Sequence, residues 1–279
     1  MKIAIVFVVY QNRDNLQEAS ASLRQSKIGG VELKEIVIDN SRINLGFTGG
    51  NNQGIRQALK WGADAVWLLN DDVKVDKYAL SELVKSIYDV QVGAAVPKIY
   101  FYPGFEFHKE RYSKRELGKV IWYAGGEIDW DNVIGVHRGV DEVDHGQFDR
   151  KKEVGFATGC SMVITRRALE KVGLLDEKYF MYLEDLDYSE RIKKAGFKII
   201  YEPKAIVWHK NAQSSGVGSD LNDYFFTRNR LLFGMTYAPI RTKFALIRES
   251  GRLAVKGRKW QKRGVVDFYL RNFEKGSWK

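Results

Sequence analysis

Residues 65–73 read Ala65-Val66-Trp67-Leu68-Leu69-Asn70-Asp71-Asp72-Val73, a short apolar run followed by two carboxylates. A run of this length between polar residues indicates a buried strand of a parallel sheet. Ligands of open α/β sheets bind outside the carboxyl ends of the strands. We therefore expect Asp71 and Asp72 at that edge, where their oxygens could hold Mg²⁺ or Mn²⁺. The alternative is a simple turn, because Asn and Asp are common turn residues.

Two more strands are predicted before this run. Residues 3–9 and 35–40 are rich in Val and Ile and flank a helical pattern, which predicts a parallel strand–helix–strand unit. Residues 10–13 contain no glycine, which argues against a dinucleotide-binding fingerprint and against a P-loop. Asp39 lies at the carboxyl end of the second strand, where it could accept hydrogen bonds from a ribose or a base. A turn is again the alternative.

A glycine-rich segment follows at residues 44–54, which read NLGFTGGNNQG. The four glycines predict a loop, and residues 55–61 predict the body of the helix after it. A glycine-rich loop before a helix N-terminus suits a phosphate or another polar ligand. The alternative is a loop that only connects a strand to a helix.

The second half of the chain is less regular. Residues 92–99 predict a strand, and residues 100–150 predict short strands with an excursion over the sheet. This insert is either an acceptor lid or a variable surface loop. Its three histidines lack the spacing of metal ligands and are expected at the surface: His108, His137 and His145.

Two further strands are predicted at residues 154–167 and 198–201. Between them, residues 180–196 predict a helix with acidic residues at its start and basic residues at its end, as the helix dipole favours. On these grounds alone, the acidic residues could simply stabilise the helix start: Glu184, Asp185 and Asp187.

Composition limits the class of protein. The chain has 279 residues, enough for a large α/β domain, and no apolar run approaches the roughly 20 residues that cross a bilayer. The single cysteine, Cys160, excludes an intrachain disulfide and is expected to be a buried strand thiol. A cytoplasmic location is the simplest interpretation.

The net charge of +10 lies in the C-terminal tail. Residues 221–279 hold fourteen Lys and Arg but only four Asp and Glu, whereas residues 1–220 sum to zero. Aromatic and aliphatic residues alternate with these cations, which predicts basic amphipathic helices. Such helices could bind an anionic membrane, pack on the rest of the chain or form a homodimer. Nucleic acid is another partner of basic proteins but is not expected here.

Several of these segments, taken in order, resemble family 2 glycosyltransferases, especially their rhamnosyltransferase-like branch. The resemblance covers residues 3 to about 235, and no single motif carries it. The matching motifs are Val8-Val9-Tyr10, Val37-Ile38-Asp39-Asn40-Ser41, the 44–54 segment, Leu68 to Val73, Thr158-Gly159-Cys160, Arg166-Arg167, Glu184-Asp185-Leu186-Asp187 with Arg191, His209, and Arg228-Asn229-Arg230.

The resemblance implies an α/β protein with the GT-A fold. Its Rossmann-like, mostly parallel central sheet would be flanked by helices. Residues 1–215 would form the catalytic domain, with a nucleotide-sugar-binding half at 1–100 and an acceptor-binding half at 101–215. Residues 216–279 would form a basic amphipathic helical extension.

The resemblance also implies an inverting, metal-dependent transfer from a dTDP- or UDP-sugar, with Mn²⁺ or Mg²⁺ as cofactor. By resemblance alone, the 44–54 segment favours dTDP-rhamnose. The acceptor would be a hydroxyl of a glycan or of a lipid-linked glycan, and the protein would associate with the inner face of the cell membrane. A non-catalytic protein on a degenerate glycosyltransferase domain, binding nucleic acid or a lipid surface, is the alternative.

The resemblance assigns roles to individual residues. Asp185 matches the general base that takes the proton of the acceptor hydroxyl. The Asp-x-Asp metal motif falls on Asn70-Asp71-Asp72, and its first position is Asn, so that Asp72 becomes the expected metal ligand together with His209. The remaining residues expected at the donor are Val9, Tyr10, Asp39, Asn40, Gly46, Phe47, Gly49, Asn52, Asn70 and Asp71. Acceptor-side or supporting roles fall to Glu184, Asp187 and Arg191.

Overall fold

A nine-stranded sheet runs through the computed structural model, which describes residues 1–11, 13–26, 28–210 and 218–279. The strands are β1 (Lys2–Val9), β2 (Glu32–Asp39), β3 (Ala65–Leu69), β4 (Val73–Val75), β5 (Val92–Phe101), β6 (Ile121–Tyr123), β7 (Gly126–Asp129), β8 (Ile134–His137), β9 (Lys152–Glu153), β10 (Ser161–Thr165) and β11 (Lys198–His209). The helices are α1 (Asp14–Arg24), α2 (Gly46–Trp61), α3 (Ala79–Ile87), α4 (Arg166–Val172), α5 (Glu184–Lys194), α6 (Asp220–Tyr237), α7 (Ile240–Lys256) and α8 (Lys259–Tyr269).

The strand order of the main sheet is β2-β1-β3-β10-β5-β11-β4. Five of these seven strands point the same way, because only β10 and β4 run antiparallel to their neighbours. The predicted mostly parallel α/β sheet is therefore confirmed. All five residues of β3 are buried, as expected for a central strand with both faces covered.

The last main strand is longer than the sequence predicts. We expected a strand at 198–201, but β11 continues to His209. The sequence Glu202-Pro203-Lys204 looks like a strand end, since proline cannot donate a ladder hydrogen bond. The structure accommodates it with a register shift between Glu202 and Ile206. Trp208 and His209 are therefore strand residues rather than loop residues.

The segment 100–150 forms short strands, as predicted. Strand β6 pairs antiparallel with β5, and β7 and β8 form a separate two-stranded sheet. An isolated bridge joins Gly126 to Phe156, so that the small sheet is anchored beside the chain that leads into β10.

Three helices fill the basic C-terminal region. Helix α6 is largely buried, with Phe225 and Phe233 fully covered, and α8 packs closely on it at Gly264. Among the helices that the structure describes, none has the length and apolarity to cross a membrane. The expected boundary between the catalytic domain and the extension, at 215–216, lies outside the described residues, and the division stays a prediction.

Candidate active site

Three chain segments meet beyond the carboxyl end of β3. The main-chain N–H of Asn70 donates to the carbonyl oxygen of Cys160 (2.9 Å), which joins the turn after β3 to the turn before β10. The N–H of Lys210 donates to the carbonyl oxygen of Asp72 (2.9 Å), which brings the end of β11 to the same place. The predicted position of Asp71 and Asp72 at this sheet edge is observed.

Asp72 and His209 lie in direct contact. Antiparallel pairing of β4 with β11 sets His209 opposite Val73, and Nε2 of His209 lies 3.1 Å from Oδ1 of Asp72. Both side chains are buried. Burial lowers the pKa of His209, but the neighbouring Cys160 and Asp72 outweigh burial and raise that pKa well above its usual value.

Asp71 is half-buried beside this pair. Burial, and then the negative charge of Asp72, raises the pKa of Asp71 to about 6. The pair of carboxylates thus concentrates negative charge at the end of β3, which a cation or a positively charged group would relieve.

The donor set of Asp72 and His209 fits a divalent cation once His209 is deprotonated, because a metal ligand must be a neutral imidazole. Within the described ranges, no cluster of three or more His, Cys, Asp or Glu side chains could hold a metal ion by itself. A cation held by one carboxylate and one imidazole needs further oxygen ligands. Magnesium sites with only one or two protein carboxylates are completed by substrate phosphates and water, so a site with few protein ligands suits a nucleotide-dependent enzyme.

Asp185 lies at the first turn of α5, within hydrogen-bond distance of the N–H of Gly159. Its Oδ2 accepts a hydrogen bond from the N–H of Gly159 (3.1 Å), and its Oδ1 accepts one from the N–H of Leu186 (2.9 Å). Burial raises the pKa of Asp185, and the hydrogen bonds from Gly159 and Leu186 act against burial. Burial rather than neighbouring carboxylates is thus the main cause of the shift.

The neighbours of Asp185 on α5 differ in their contacts. Oδ2 of Asp187 accepts from Nε of Arg191 (2.8 Å), and Oδ1 accepts from the hydroxyl of Tyr237 on α6 (2.8 Å). Arg191 also donates to the carbonyl oxygen of Leu174 (2.8 Å). These contacts give Asp187 and Arg191 a supporting role at the helix, which is one of the two roles predicted for them. Glu184 is buried, and burial raises its pKa well above the usual value.

A strained stretch of chain leads into α5. Phe180, Tyr182 and Leu183 all have positive φ, at 62°, 68° and 68°. Buried Asn229 of α6 donates to the carbonyl oxygens of Tyr179, Met181 and Tyr182, and buried Arg228 donates to those of Lys178 and Tyr179. The resemblance included these two residues, but their contact with the chain before Asp185 could not be read from the sequence.

The donor-side residues lie at the carboxyl ends of β1 and β2. Val9 pairs with Asp39 across the two strands, and Tyr10 is 49% exposed. The exposed carboxylate of Asp39 accepts from the N–H of Ser41 (3.0 Å) and from Arg13. Hydrogen bonds from Ser41, followed by that from Arg13, lower the pKa of Asp39. Asp39 and Tyr10 are thus accessible to a ligand at this edge.

Two predicted donor-side asparagines are engaged within the protein. Oδ1 of Asn40 accepts from the N–H of Leu45 (2.8 Å), and its amide donates to the carbonyl oxygen of Gly46 (3.0 Å). Asn52 is buried and exchanges hydrogen bonds with the main chain of Leu175 (2.9 and 3.0 Å). Asn40 therefore shapes the start of α2, and Asn52 ties α2 to the chain before α5. Contacts of either residue with the donor stay predictions.

The expected glycine-rich loop is mostly helix. Helix α2 begins at Gly46, so the prediction that the helix body begins near residue 55 was wrong. A Cβ on Gly50 would lie 2.6 Å from Val8, and one on Gly54 would lie closer than 3.0 Å to Val6. These glycines let α2 approach β1 closely. Of the four glycines in residues 44–54, Gly46 alone has a positive φ, of 71°, and it lies against Phe180.

Phe47 links the start of α2 to the turn that contains Gly159. A Cβ on Gly159 would lie 3.0 Å from the ring of Phe47 and 3.7 Å from the Cβ of Asp185. Gly49 is also on this first turn of α2. Phe47 therefore lies close to Gly159, while Gly46 and Gly49 are placed only on the same first turn of α2.

An aromatic ring of β6 contacts His209. The rings of Trp122 and His209 meet edge to face, with centroids 4.7 Å apart, and Trp122 packs in the same manner on His137 (4.5 Å). Burial lowers the pKa of His137 to about 4. The expectation that His137 is a surface histidine was wrong, because strand pairing between β7 and β8 turns its ring towards Trp122.

Comparison with known proteins gives the family. The model described as "Glycosyl transferase family 2" matches residues 2–173, and "Glycosyltransferase like family 2" matches residues 130–230. An N-acetylglucosaminyl-diphospho-decaprenol L-rhamnosyltransferase of Mycobacterium tuberculosis is 42% identical over 66 residues, which cover 24% of this chain and 22% of that protein.

Two further likenesses cover more of the chain. The low-salt glycan biosynthesis hexosyltransferase Agl10 of Haloferax volcanii is 24% identical over 217 residues, covering 71% of this chain and 63% of the relative. Both relatives are thus matched over less than two thirds of their own length. The crystal structure of GalNAc-T7 with UDP, GalNAc and Mn²⁺ aligns with a TM-score of 0.53 at 13% identity, covering 97% of this chain and 57% of that one.

The likeness to this solved structure supports the predicted GT-A fold. The first family model covers well over half of the chain, from β1 through α4. The second extends the match through α5 and β11 into α6. The chain therefore belongs to glycosyltransferase family 2.

Proposed function

We propose that this glycosyltransferase inverts the anomeric centre of its donor in a single, divalent-cation-dependent displacement. The observation that carries the proposal is the position of Gly159 and Cys160 between two acidic groups. The N–H of Gly159 donates to Asp185, the carbonyl oxygen of Cys160 accepts from the N–H of Asn70 in the turn that leads to Asp72, and Asp72 contacts His209. A leaving-group site and a base on different chain segments are what an in-line displacement needs.

The donor diphosphate would bind at Asp72 and His209. Their contact at 3.1 Å and their burial suit a cation that is shared with phosphate oxygens. Bound Mn²⁺ or Mg²⁺ would neutralise the charge that develops on the departing diphosphate. The nucleoside would lie along the carboxyl ends of β1 and β2, beside exposed Tyr10 and Asp39.

Asp185 would act on the acceptor. As the acceptor hydroxyl oxygen forms its bond to the anomeric carbon, the bond from that carbon to the phosphate oxygen breaks, and the nucleoside diphosphate leaves with the electron pair. The carboxylate of Asp185 takes the hydroxyl proton. Its two main-chain hydrogen bonds fix its orientation, and they favour the ionised form against burial.

The donor and the acceptor follow from the relatives and remain proposals. The name of the Mycobacterium tuberculosis relative specifies an L-rhamnosyl group and a lipid-linked N-acetylglucosaminyl diphosphate. We take dTDP-L-rhamnose as the first donor to test and a lipid-linked or free glycan hydroxyl as the acceptor. A protein with such an acceptor would work in the cytoplasm, against the inner face of the cell membrane.

The test compares wild type with Asp185→Asn. Each protein is incubated with dTDP-L-rhamnose or a panel of UDP-sugars, with Mn²⁺, and with an N-acetylglucosaminyl diphospholipid. Transfer is followed by nucleotide release and mass spectrometry, and NMR gives the anomeric configuration of the product. Wild type should give an inverted linkage. Asp185→Asn should bind the donor nucleotide with unchanged affinity and lose at least about a hundredfold in transfer rate.

Glu190→Gln is the matched control. Glu190 lies on the same helix, pairs with Lys193, and has no part in the proposed reaction. It should transfer at the wild-type rate. A retained anomeric configuration, or a wild-type rate for Asp185→Asn, would refute the proposed mechanism.

A further inference from the structure

Helix α7 exposes an apolar stripe along its outer face. Ile240, Phe244 and Val255 are 69%, 67% and 72% exposed, and Ile247 is 45% exposed. With Gly251 they recur at helical spacing (i, i+4, i+7, i+11, i+15), so they share one side of the helix.

The opposite side of the helix is the one that packs on the protein. Thr242, Leu246 and Ser250 are buried, and Ser250 lies within hydrogen-bond distance of the hydroxyl of Tyr269 on α8 (2.8 Å). The core contact of α7 is therefore already made. The exposed stripe is a separate, apolar face of α7 that the residues described by the structure leave accessible.

Cations flank this second face. Arg241, Arg248, Arg252 and Lys256 are all exposed on α7. The only acidic residue of the helix is Glu249, and it is paired with Arg230 of α6 (2.9 Å). The surface around the stripe is therefore strongly positive, with no acidic side chain of α7 left to balance it.

The sequence alone could not locate this surface. It suggested apolar residues along the whole tail as membrane anchors, yet Phe225 and Phe233 of α6 are buried in the core, and Trp260 and Phe268 of α8 are partly covered. Helix α7 exposes four apolar residues beside its cations, whereas α8 exposes Val266 and Tyr269.

We infer that the outer face of α7, defined by Ile240, Phe244, Ile247 and Val255, docks onto an anionic lipid bilayer. A helix of this kind lies in the plane of the interface, with its apolar side chains among the acyl chains and its cations at the headgroups. A second copy of the chain is a poorer partner, because two such cationic faces would repel each other. The inference does not depend on the identity of the donor or on the chemical mechanism.

The experiment is co-flotation of the full chain with vesicles. Vesicles of phosphatidylcholine with about 30% phosphatidylglycerol are compared with pure phosphatidylcholine, for wild type and for the double variant Ile240→Glu/Phe244→Glu. Wild type should float with the anionic vesicles, and the double variant should lose at least about tenfold in partitioning. Capture should weaken with added salt, because the headgroup attraction is screened.

Two further variants test whether capture is specific to α7 and how much its cations contribute. Val90→Glu changes an equally exposed apolar residue, 72% exposed and far from α7 in sequence, and should float like wild type. Arg248→Gln/Arg252→Gln should reduce capture by anionic vesicles while leaving the apolar stripe intact. Thermal melting confirms that each variant is folded.

Several outcomes would overturn the inference. Absence of wild-type capture, or equal capture of wild type and the double variant, would exclude α7 as the membrane surface. A wild-type dimer in light scattering that Ile240→Glu/Phe244→Glu converts to a monomer, without a change in vesicle capture, would assign the stripe to a homodimer instead.

Discussion

The side-chain amide of Asn229 donates a hydrogen bond of 3.0 Å to the carbonyl oxygen of Tyr182. Tyr182 and the next residue, Leu183, both have positive φ. Bulky residues adopt such angles at a cost, and they persist only where the surroundings hold them. Because α5 begins at Glu184, we expect the geometry that Asn229 holds at Tyr182 to influence the position of Asp185 as well.

Asn229→Ala should therefore impair transfer more than donor binding. Without the amide, the chain before α5 can relax, and a displacement of about 1 Å at the base can cost on the order of a hundredfold in rate. We expect kcat to fall by about ten- to a hundredfold, while the affinity for dTDP with Mn²⁺ stays within about twofold. Steady-state kinetics and calorimetry measure the two quantities.

Thr236→Ala on the same helix is the control for this prediction. Thr236 is exposed, and its hydroxyl donates only to the carbonyl oxygen of Leu232 within α6 (2.7 Å). It should leave kcat unchanged. Equal losses of kcat and nucleotide affinity in Asn229→Ala would mean that Asn229 supports the whole fold rather than the position of Asp185.

Asp72→Ala should abolish the contribution of the cation to nucleotide binding. In wild type we expect Mn²⁺ to tighten dTDP binding by at least about tenfold, and EDTA to remove that gain, because the phosphates complete the coordination of the ion. In Asp72→Ala, calorimetry with and without Mn²⁺ should give the same weak affinity. Asp89→Ala, which removes an exposed turn carboxylate, should behave like wild type. A persistent Mn²⁺ effect in Asp72→Ala would place the cation elsewhere.

A pH-dependent contribution to stability is expected at the C-terminus. Asp267 is buried in α8 and accepts hydrogen bonds from the hydroxyl of Tyr224 and from the N–H (3.0 Å) and hydroxyl (3.1 Å) of Ser277. Burial raises the pKa of Asp267, but these donors outweigh it and bring the pKa below its ordinary value. Because the folded-state pKa is depressed, the stabilisation is present above the unfolded-state pKa and is lost as the pH falls through the folded-state pKa.

Asp267→Asn should accordingly lower the free energy of unfolding at pH 7 by about 1–3 kcal/mol, the range for a lost buried hydrogen bond with a charged group. The difference in unfolding free energy between Asp267→Asn and wild type should become smaller below about pH 4. Urea titrations at several pH values measure this difference in free energy. Asp131→Asn, at an exposed turn, should match wild type throughout. A gap that stays constant down to pH 3 would mean that the charge of Asp267 contributes nothing.

The first three strands could be predicted because each is a short apolar run with a polar end. That pattern located β1, β2 and β3, and it located Asp39 and Asp72 at the sheet edge. The pairing of Asp72 with His209 could not be predicted in the same way. It depends on β4 pairing with β11, whose sequence includes Pro203 and therefore resembles a break.

The aromatic contacts at the site could not be predicted from the sequence either. Trp122 and His137 lie fifteen residues apart on strands of different sheets, and only the fold brings their rings together beside His209. Nothing in their spacing distinguishes them from exposed residues. Long-range pairing, rather than local pattern, decides this part of the site.

At the glycines of residues 44–54, a prediction based on local helix propensity was wrong. Glycine is among the poorest helix formers, which favoured a loop. In the structure, close packing decides instead: α2 approaches β1 where its residues lack a Cβ. The sheet contact outweighs the helix propensity of roughly 1 kcal/mol per glycine.

Gly54→Ala tests this interpretation against Gly251→Ala. A Cβ on Gly54 would lie closer than 3.0 Å to Val6, whose side chain is fully buried and stiff because it is β-branched. Overpacking a core destabilises a protein by about 1–3 kcal/mol. Replacing a helical glycine by alanine stabilises it by only about 0.5–1 kcal/mol. We therefore expect Gly54→Ala to lower the free energy of unfolding in urea titrations.

At Gly251, on exposed α7, a Cβ would meet no atom within 4 Å. Gly251→Ala should therefore raise the free energy of unfolding by about 0.5–1 kcal/mol. The opposite signs follow from one cause, the presence or absence of a neighbour for the new methyl group. If both substitutions stabilised the protein, close packing of α2 on β1 would not explain why glycine occupies position 54.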